Sequence, residues 1–433
     1  MEVLLKPYKP PPWGGYGMDN PRPRSRSFLT LLRNRNFSLL WIGTLVSASG
    51  FYVGNVVVEW FIFASTHKPL FLTVLGIVEF VPTLTIGVIA GALADRYDRR
   101  RLMIMSDLGR ALTVGALAAY VLTVGFSFPV VLVAVLVMAA FGTIFSPSSN
   151  AILPSLIGKD ELQSGNGLLQ AGVTVSGFIG SPLGGALVLL VGVGAGLIYN
   201  SITFAFSALM IGLLMVPAAV RRRAGDSRTT GTSLLSDVRA GLSFLRTQHA
   251  LLILTLAGMA LNFFSFYLLY FVVYSTDVLH GGPAIFGLLV GAQSAGYAAG
   301  ALLLVGRLRI DRTPGFWIPL LWGLEGLPLI TLILVPIAPV AIASVTVLGG
   351  LSALVSVTFV SVVQKSVPDE FLGRYFATDQ AGSYAMIPAG LAVGGVLIVA
   401  LGIGFAFLLA GVATLAVGLA LLLSKEVRGW GRS

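Results

Sequence analysis

Long apolar segments recur along the chain and restrict its fold more than any other feature of the sequence. Several run for about 20 residues, the length at which an α-helix crosses a hydrocarbon layer of about 30 Å. Examples are residues 130–145, 183–215, 284–305 and 401–423. Because backbone polar groups in lipid must be satisfied within the protein, long segments without alternating polarity indicate helices rather than barrel strands. The sequence therefore predicts an all-α integral membrane protein.

Composition agrees with a membrane location. Of the 433 residues, 56% are hydrophobic and 11% are charged, whereas ordinary proteins have a charged share of about 25%. A soluble chain of this length could not keep so much apolar surface away from water. The chain has no cysteine, which excludes disulfides, thiol nucleophiles and thiolate metal ligands.

The apolar segments form two sets of six predicted helices, numbered 1 to 12 along the chain. The first set is 37–65, 70–94, 101–125, 128–152, 163–190 and 195–218. The second set is 250–279, 284–306, 314–336, 338–363, 374–399 and 401–423. This division predicts a basic, Pro-rich tail at 1–36, a bundle at 37–218, a polar linker at 219–249, a second bundle at 250–423 and a short tail at 424–433.

Lysine and arginine are distributed unevenly between the loops. They concentrate in the N-terminal tail, after helices 2, 4, 8, 10 and 12, and in the linker, whereas the alternate loops contain only Lys68. The positive-inside rule then predicts that both termini are cytoplasmic and that the protein lies in the plasma membrane. The formal net charge of +10 is therefore a topology signal, and no nucleic-acid partner is expected. The basic tail is expected either to be solvated or to touch anionic lipid.

The two halves resemble each other. Residues 156–172 align with residues 366–382 at a constant offset. The same offset superposes three glycines of helix 5 on three of helix 11: Gly180 on Gly390, Gly184 on Gly394 and Gly185 on Gly395. Two repeated bundles with a site between them form a common transporter plan, so we expect two pseudo-symmetric bundles.

A glycine, an acid and several arginines mark the turn between helices 2 and 3. The segment reads Gly91-Ala-Leu-Ala-Asp95-Arg96-Tyr-Asp98-Arg99-Arg100-Arg101. The glycine allows close helix approach, and the arginines anchor the turn at the level of the lipid head groups. A basic stop signal at a helix end is the plainer interpretation.

This turn resembles the signature of the major facilitator superfamily, and its Asp-Arg-aromatic-Asp-Arg-Arg sequence is similar to the branch of enterobactin exporters and macrolide efflux proteins. The resemblance implies the major facilitator fold, with twelve transmembrane helices in two six-helix bundles. It also implies a conformational lock in which Asp95 meets Arg99 or Arg100 and the start of helix 11. The expected members of the lock are Gly91, Asp95, Arg96, Arg99, Arg100 and Arg374. Asp98 departs from the family, which has glycine there.

Helix 5 contains a second motif, similar to the antiporter motif of the superfamily. Its members are Gly167, Ser176, Gly180, Pro182, Gly184 and Gly185. Ser176 replaces a glycine, and the proline is displaced by one position. We expect the small residues to pack on a helix of the other half, and Pro182 to bend the helix. Ordinary packing of glycine-rich helices explains the pattern equally well. If the segment is an antiporter motif, it favours export over uptake.

Two acids lie inside predicted helices, Glu59 on helix 1 and Glu79 on helix 2. A charge at the bilayer centre costs at least about 2.5–3.5 kcal/mol, so such acids are functional candidates by default. We expect them to couple transport to protons, with hydrogen-bonded packing acids as the equal alternative. Asp107 and Arg110, three residues apart on helix 3, are expected to form a local ion pair.

Helices 1, 4, 7 and 10 line the central cavity in the superfamily. Residues on helices 1 and 7 are therefore candidates for substrate contact: Asn55, Trp60, Asn262, Phe266 and Tyr270. The last three repeat every four residues and share a helix face. Packing against lipid is the alternative. An aromatic cavity with few polar anchors suits a large amphipathic molecule.

The sequence excludes several classes of function. It contains no phosphate-binding GxxxxGK[ST] loop for an ATPase, and three scattered histidines supply neither a catalytic cluster nor a metal site. We therefore predict a monomeric secondary transporter with no catalytic residues, cofactor or metal. The leading hypothesis is proton-coupled efflux of a drug-like or siderophore-like amphipathic compound by alternating access. Lysophospholipid translocation and a non-transporting sensor are the alternatives.

Overall fold

The computed structural model describes residues 28–215, 234–304 and 313–430 of the chain. This part is helical, with eleven segments long and apolar enough to cross a membrane. The last segment, Phe371–Leu423, is broken at Gly402, where φ is 83° and ψ is 161°. A residue with a Cβ rarely adopts this positive φ. The break separates helix 11 from helix 12, which confirms the predicted all-α fold of twelve helices.

The first half contains helices 1 to 6. They are Arg35–Thr66, Pro69–Arg96, Arg99–Thr123, Phe128–Ile152, Leu162–Leu190 and Val193–Gly212. Helix 6 ends before the predicted residue 218, and the guanidinium of Arg100 on helix 3 binds the carbonyls of Ile211 and Gly212 at this end. A cation at a helix C-terminus satisfies free carbonyls and complements the helix dipole.

The second half contains helices 7 to 12, several of which are interrupted. Helix 7 is His249–Phe264 and continues as Ser265–Leu268 (3₁₀), Phe271–Val273 (α) and Tyr274–Val278 (π). Helix 8 is Gly282–Ala299 followed by the π-helix Gly300–Leu304, and helix 9 is Pro314–Leu324 with Gly326–Leu334. Helix 10 is Ala338–Ser366, and helices 11 and 12 are 369–401 and 403–423.

Three shorter helices lie in segments predicted as tails or linker, namely Phe28–Leu31, Leu234–Thr247 and Lys425–Gly429. The linker helix Leu234–Thr247 packs on the start of helix 11, where the rings of Phe244 and Phe371 stack at 4.8 Å. The linker is therefore attached to the second half through helix 11.

The glycines of the internal repeat make equivalent contacts in both halves. At each one, a Cβ would press on a neighbouring helix. The matched contacts are Gly180 with Ser49 and Gly390 with Phe263, then Gly185 with Pro283 and Gly395 with Thr73. Helix 5 is thus related to helices 1 and 8 as helix 11 is to helices 7 and 2. The sequence repeat therefore corresponds to a structural pseudo-symmetry.

Among the described residues, the close contacts between the two halves lie toward one side. We call the side where helix 1 begins the tail face and the opposite side the far face. The inter-half contacts of helix 5 with helix 8 and of helix 2 with helix 11, which we call the far-face seam, lie toward the far face: Gly185 with Pro283, Pro182 with Gly291, and Gly76 with Leu391. Toward the tail face, a Cβ at Gly87, Gly91 or Gly373 would meet open space. The structure is closed at the far face and open at the tail face.

Replacing Gly418 by alanine tests the packing of helix 12 on helix 9. A Cβ there would overlap the backbone of Gly323, so Gly418→Ala is expected to lower stability by about 1–3 kcal/mol. The matched control is Gly167→Ala, since a Cβ at Gly167 meets open space and alanine favours a helix over glycine by up to about 1 kcal/mol. Thermal unfolding of the purified protein should shift in opposite directions, and equal shifts would contradict this packing.

Candidate transport cavity

A cavity of about 740 Å³ lies between the two halves. Helices 1, 2, 3, 4 and 6 of the first half form most of its wall, and helix 11 of the second half completes it. Its polar lining residues are Asn55, Glu59, Glu79, Thr83, Arg110, Thr143, Ser146, Asn150, Asn200, Gln380 and Tyr384. The volume suits a drug-sized molecule. The cavity reaches Asn150, next to the tail-face end of helix 4.

The structure places Glu59 and Glu79 in the wall of the same cavity. They lie on adjacent helices, close enough for their charges to interact. At 1.5 Å per residue, Glu59 is about 10 Å and Glu79 about 15 Å from the far-face ends of their helices. Both carboxylates therefore lie deep in the cavity, beyond the polar groups at its mouth. Asn55, one turn before Glu59, also lines the cavity.

Arg110 is the one basic residue among the described lining residues. It forms the predicted ion pair with Asp107, whose side chain is fully buried. Its guanidinium lies over the rings of Phe145 and Phe204, with distances of 4.6 and 4.5 Å to the ring centroids. The sequence prediction treated this pair as local and missed that the arginine faces the cavity.

A stripe of polar residues on helix 4 was also missed. Thr143, Ser146 and Asn150 follow one another at three and four residues and line the cavity from its middle to its mouth. The hydroxyls of Thr143 and Thr83 on helix 2 are 3.4 Å apart. Helical spacing of polar residues within an apolar segment was the available signal.

The predicted aromatic face of helix 7 does not line this cavity. The Tyr270 hydroxyl is 2.7 Å from the Thr73 hydroxyl of helix 2, and Phe266 packs against Gly394 of helix 11. The prediction assumed regular α-helical spacing, but the helix changes to 3₁₀ geometry at Ser265. In this conformation both aromatic residues belong to closed packing near the far face.

Two further candidates also lie outside the cavity lining. The Asn262 side-chain amide donates to the carbonyl of Gly258, one turn earlier on helix 7, at 3.1 Å. Trp60 packs against the main hydrophobic core, although its neighbour Glu59 lines the cavity. Successive residues of a helix point about 100° apart, so only one of this pair faces the cavity.

The turn between helices 2 and 3 anchors helix ends within the first half. Arg99 donates to the carbonyl of Ala151 at 2.8 Å, at the end of helix 4, as Arg100 does at the end of helix 6. Asp98 caps helix 3 by accepting from the backbone N–H of Arg100 at 3.0 Å. This cap gives the departure from the family glycine a structural role.

The other members of the expected lock are spread along the tail face. The side chain of Asp95 lies outside the described part of the structure, and Arg96 is exposed at the end of helix 2. Arg374 lies over the Phe371 ring at 5.7 Å. Gly91, predicted to permit close helix approach, has open space around it. This agrees with the open tail face.

The helix 5 motif divides between two neighbouring helices. The Ser176 hydroxyl donates to the carbonyl of Leu45 on helix 1 at 2.7 Å, and Gly180 and Gly184 also pack on helix 1 of the same half. Pro182 and Gly185 pack on helix 8 of the other half. The predicted contact between halves therefore involves only part of the motif, and Gly167 takes no part in close packing.

Comparisons with known proteins identify related transporters. The transmembrane secretion effector family matches residues 26–431. Macrolide efflux protein A of Streptococcus pyogenes is 23% identical over 90% of this chain and 96% of its own length. The multidrug efflux pump Tap of Mycolicibacterium fortuitum is 25% identical over the same shares. The crystal structure of the peptide transporter POT with sulfate has a TM-score of 0.66 at 13% identity, covering 92% of this chain and 98% of that one.

Cysteine labelling tests whether the cavity is open at the tail face. The natural chain has no cysteine, so in a variant with one introduced cysteine all labelling occurs at that position. Ser146→Cys lies in the cavity wall and should react rapidly with a charged, water-soluble maleimide. Ser148→Cys replaces a fully buried serine on the same helix and should react only after denaturation. Equal labelling of both native variants would contradict this arrangement.

Proposed function

Because the chain belongs to the transmembrane secretion effector family of major facilitator transporters, we propose that it exports an amphipathic small molecule across the plasma membrane in exchange for protons. The observation that carries the proposal is the pair of glutamates in one cavity, Glu59 and Glu79. A carboxylate within a membrane helix is energetically costly, so it usually faces a polar space and marks a functional site. The related macrolide and multidrug efflux proteins support export.

The orientation follows from the loops. The described chain begins at helix Phe28–Leu31 and ends at Lys425–Gly429 on the tail face, where Arg96, Arg99 and Arg100 also lie. The positive-inside rule then assigns this face to the cytoplasm. The structure is then the inward-open state, and the cavity takes up substrate from the cytoplasm. Closure at the tail face and opening of the far-face seam would expose the same carboxylates to the outside.

Proton exchange at these carboxylates gives the direction of transport. In the outward-open state they bind protons from the outside, and the substrate leaves. In the inward-open state they release the protons to the cytoplasm, and the ionised cavity binds the next substrate. Apolar wall residues such as Phe51, Leu117 and Met138 favour an amphipathic body. The unit of transport is a monomer, with lipid surrounding the two bundles.

Neutral glutamines at the two acids test the coupling. In proteoliposomes with an imposed pH gradient, Glu59→Gln or Glu79→Gln should reduce gradient-driven export of erythromycin to background, because glutamine carries no exchangeable proton. The matched control is Glu325→Gln, since Glu325 lies on helix 9 outside the cavity lining and its loss should leave coupling intact. Full gradient-driven export by both cavity variants would refute the assignment.

A fluorescent lysolipid assay without a pH gradient addresses the alternative function. A proton-coupled exporter should leave the lysolipid in the leaflet to which it was added. Rapid lysolipid movement, with no response to the gradient, would indicate a lipid translocator in place of a proton-coupled exporter.

The hydroxyl contact between Tyr270 and Thr73 should favour the inward-open state, because it joins the two halves near the far face. Tyr270→Phe removes a hydrogen bond worth about 1 kcal/mol, which corresponds to about a fivefold shift toward the outward-open state. The rate of Ser146→Cys labelling should then fall. Tyr274→Phe is the control, since that hydroxyl donates to the carbonyl of Leu332 within the second half. Equal rates in both variants would contradict the role of this contact.

A further inference from the structure

The guanidinium of Arg110 has hydrogen-bonding capacity that the protein does not use. The side chain is 11% exposed and lines the cavity. Nη2 donates to Oδ1 of Asp107, and both Nε of Arg110 and Oδ2 of Asp107 are buried with no partner among the described residues. A guanidinium offers five donors in a planar fork, and the ion pair with Asp107 uses one of them.

The surroundings hold this guanidinium in one place. Asp107 fixes it from the same helix, and Phe145 and Phe204 lie against it. A local ion pair would need neither a position in the cavity wall nor rings from two other helices. Rigid placement lowers the entropy cost of binding a ligand.

We propose that Arg110 forms a subsite for the anionic group of the substrate, which makes the substrate a zwitterionic amphipath. The part of the guanidinium that Asp107 does not occupy matches a carboxylate or phosphate. The cationic group of the substrate then pairs with Glu59 and Glu79, which line the same cavity from helices 1 and 2. This inference rests on the proposed export function and names its substrate class.

A matched pair of dyes tests the anion subsite. Rhodamine 6G carries an ethyl ester, and its hydrolysed form, rhodamine 19, carries a free carboxylate on the same cationic ring system. Fluorescence polarisation of each dye with the purified full chain measures binding without any transport step. The wild-type protein should bind the free acid about tenfold more tightly than the ester, a difference of about 1.4 kcal/mol.

Variants of Arg110 test whether this residue causes the preference for the free acid over the ester. Arg110→Gln alone leaves Asp107 without its partner, so the charge-balanced pair Asp107→Asn with Arg110→Gln is the main test, and it should bind both dyes equally. Arg110→Lys keeps the charge without the fork and should retain only part of the preference. Thermal unfolding confirms that each variant is folded.

The outcomes separate this inference from the proposed function. Equal binding of the two dyes by the wild type, or an unchanged preference in the folded double variant, overturns the anion subsite and leaves proton-coupled export standing. Binding of neither dye overturns both the amphipathic substrate and the subsite. Loss of coupling in the glutamate variants with the dye preference intact supports both.

Discussion

Close backbone contact between the two halves at the far face is the constraint on which the cavity depends. Lipid is as apolar as the helix surfaces, so helices in a membrane associate through tight packing and hydrogen bonds rather than through hydrophobic burial. Gly185 beside Pro283 and Gly395 beside Thr73 provide this packing at two symmetry-related places. Larger residues there would separate the halves, and the space toward the tail face would lose its closed end.

The cavity explains where the charged side chains of the first half lie. Ionisable side chains in membrane helices avoid lipid by facing protein or water. Glu59, Glu79 and Arg110 come from three helices and all reach the same cavity, while Asp107 is buried behind the arginine. In the alternating-access cycle that we propose, such a charged cavity has a function, because its carboxylates meet the water of one side at a time.

The sequence allowed the helices, the repeat and the two cavity acids to be predicted for different reasons. Apolar length determines a membrane helix, and the repeat offset places Gly185 and Gly395 in equivalent contacts. An intramembrane acid such as Glu79 is conspicuous in an apolar segment. Tyr270 could not be placed, because 3₁₀ and π geometry in helix 7 changes its direction. Arg110 could not be placed either, since an ion pair with a close neighbour looks the same in sequence whichever way it faces.

The open tail face and the packed far face belong to one pseudo-symmetric arrangement of two bundles. The arginines of the helix 2–3 turn hold the ends of helices 4 and 6 through contacts within the first half, so this half can move without rearranging them. Gly91 and Gly373, with open space around each, leave room for the backbones of the two halves to approach at the tail face. In the transport cycle that we propose, both faces use small residues for close approach, so closing the tail face offsets the packing lost at the far face. The two states of that cycle then differ by little free energy, and binding of protons or substrate in the cavity shifts the balance.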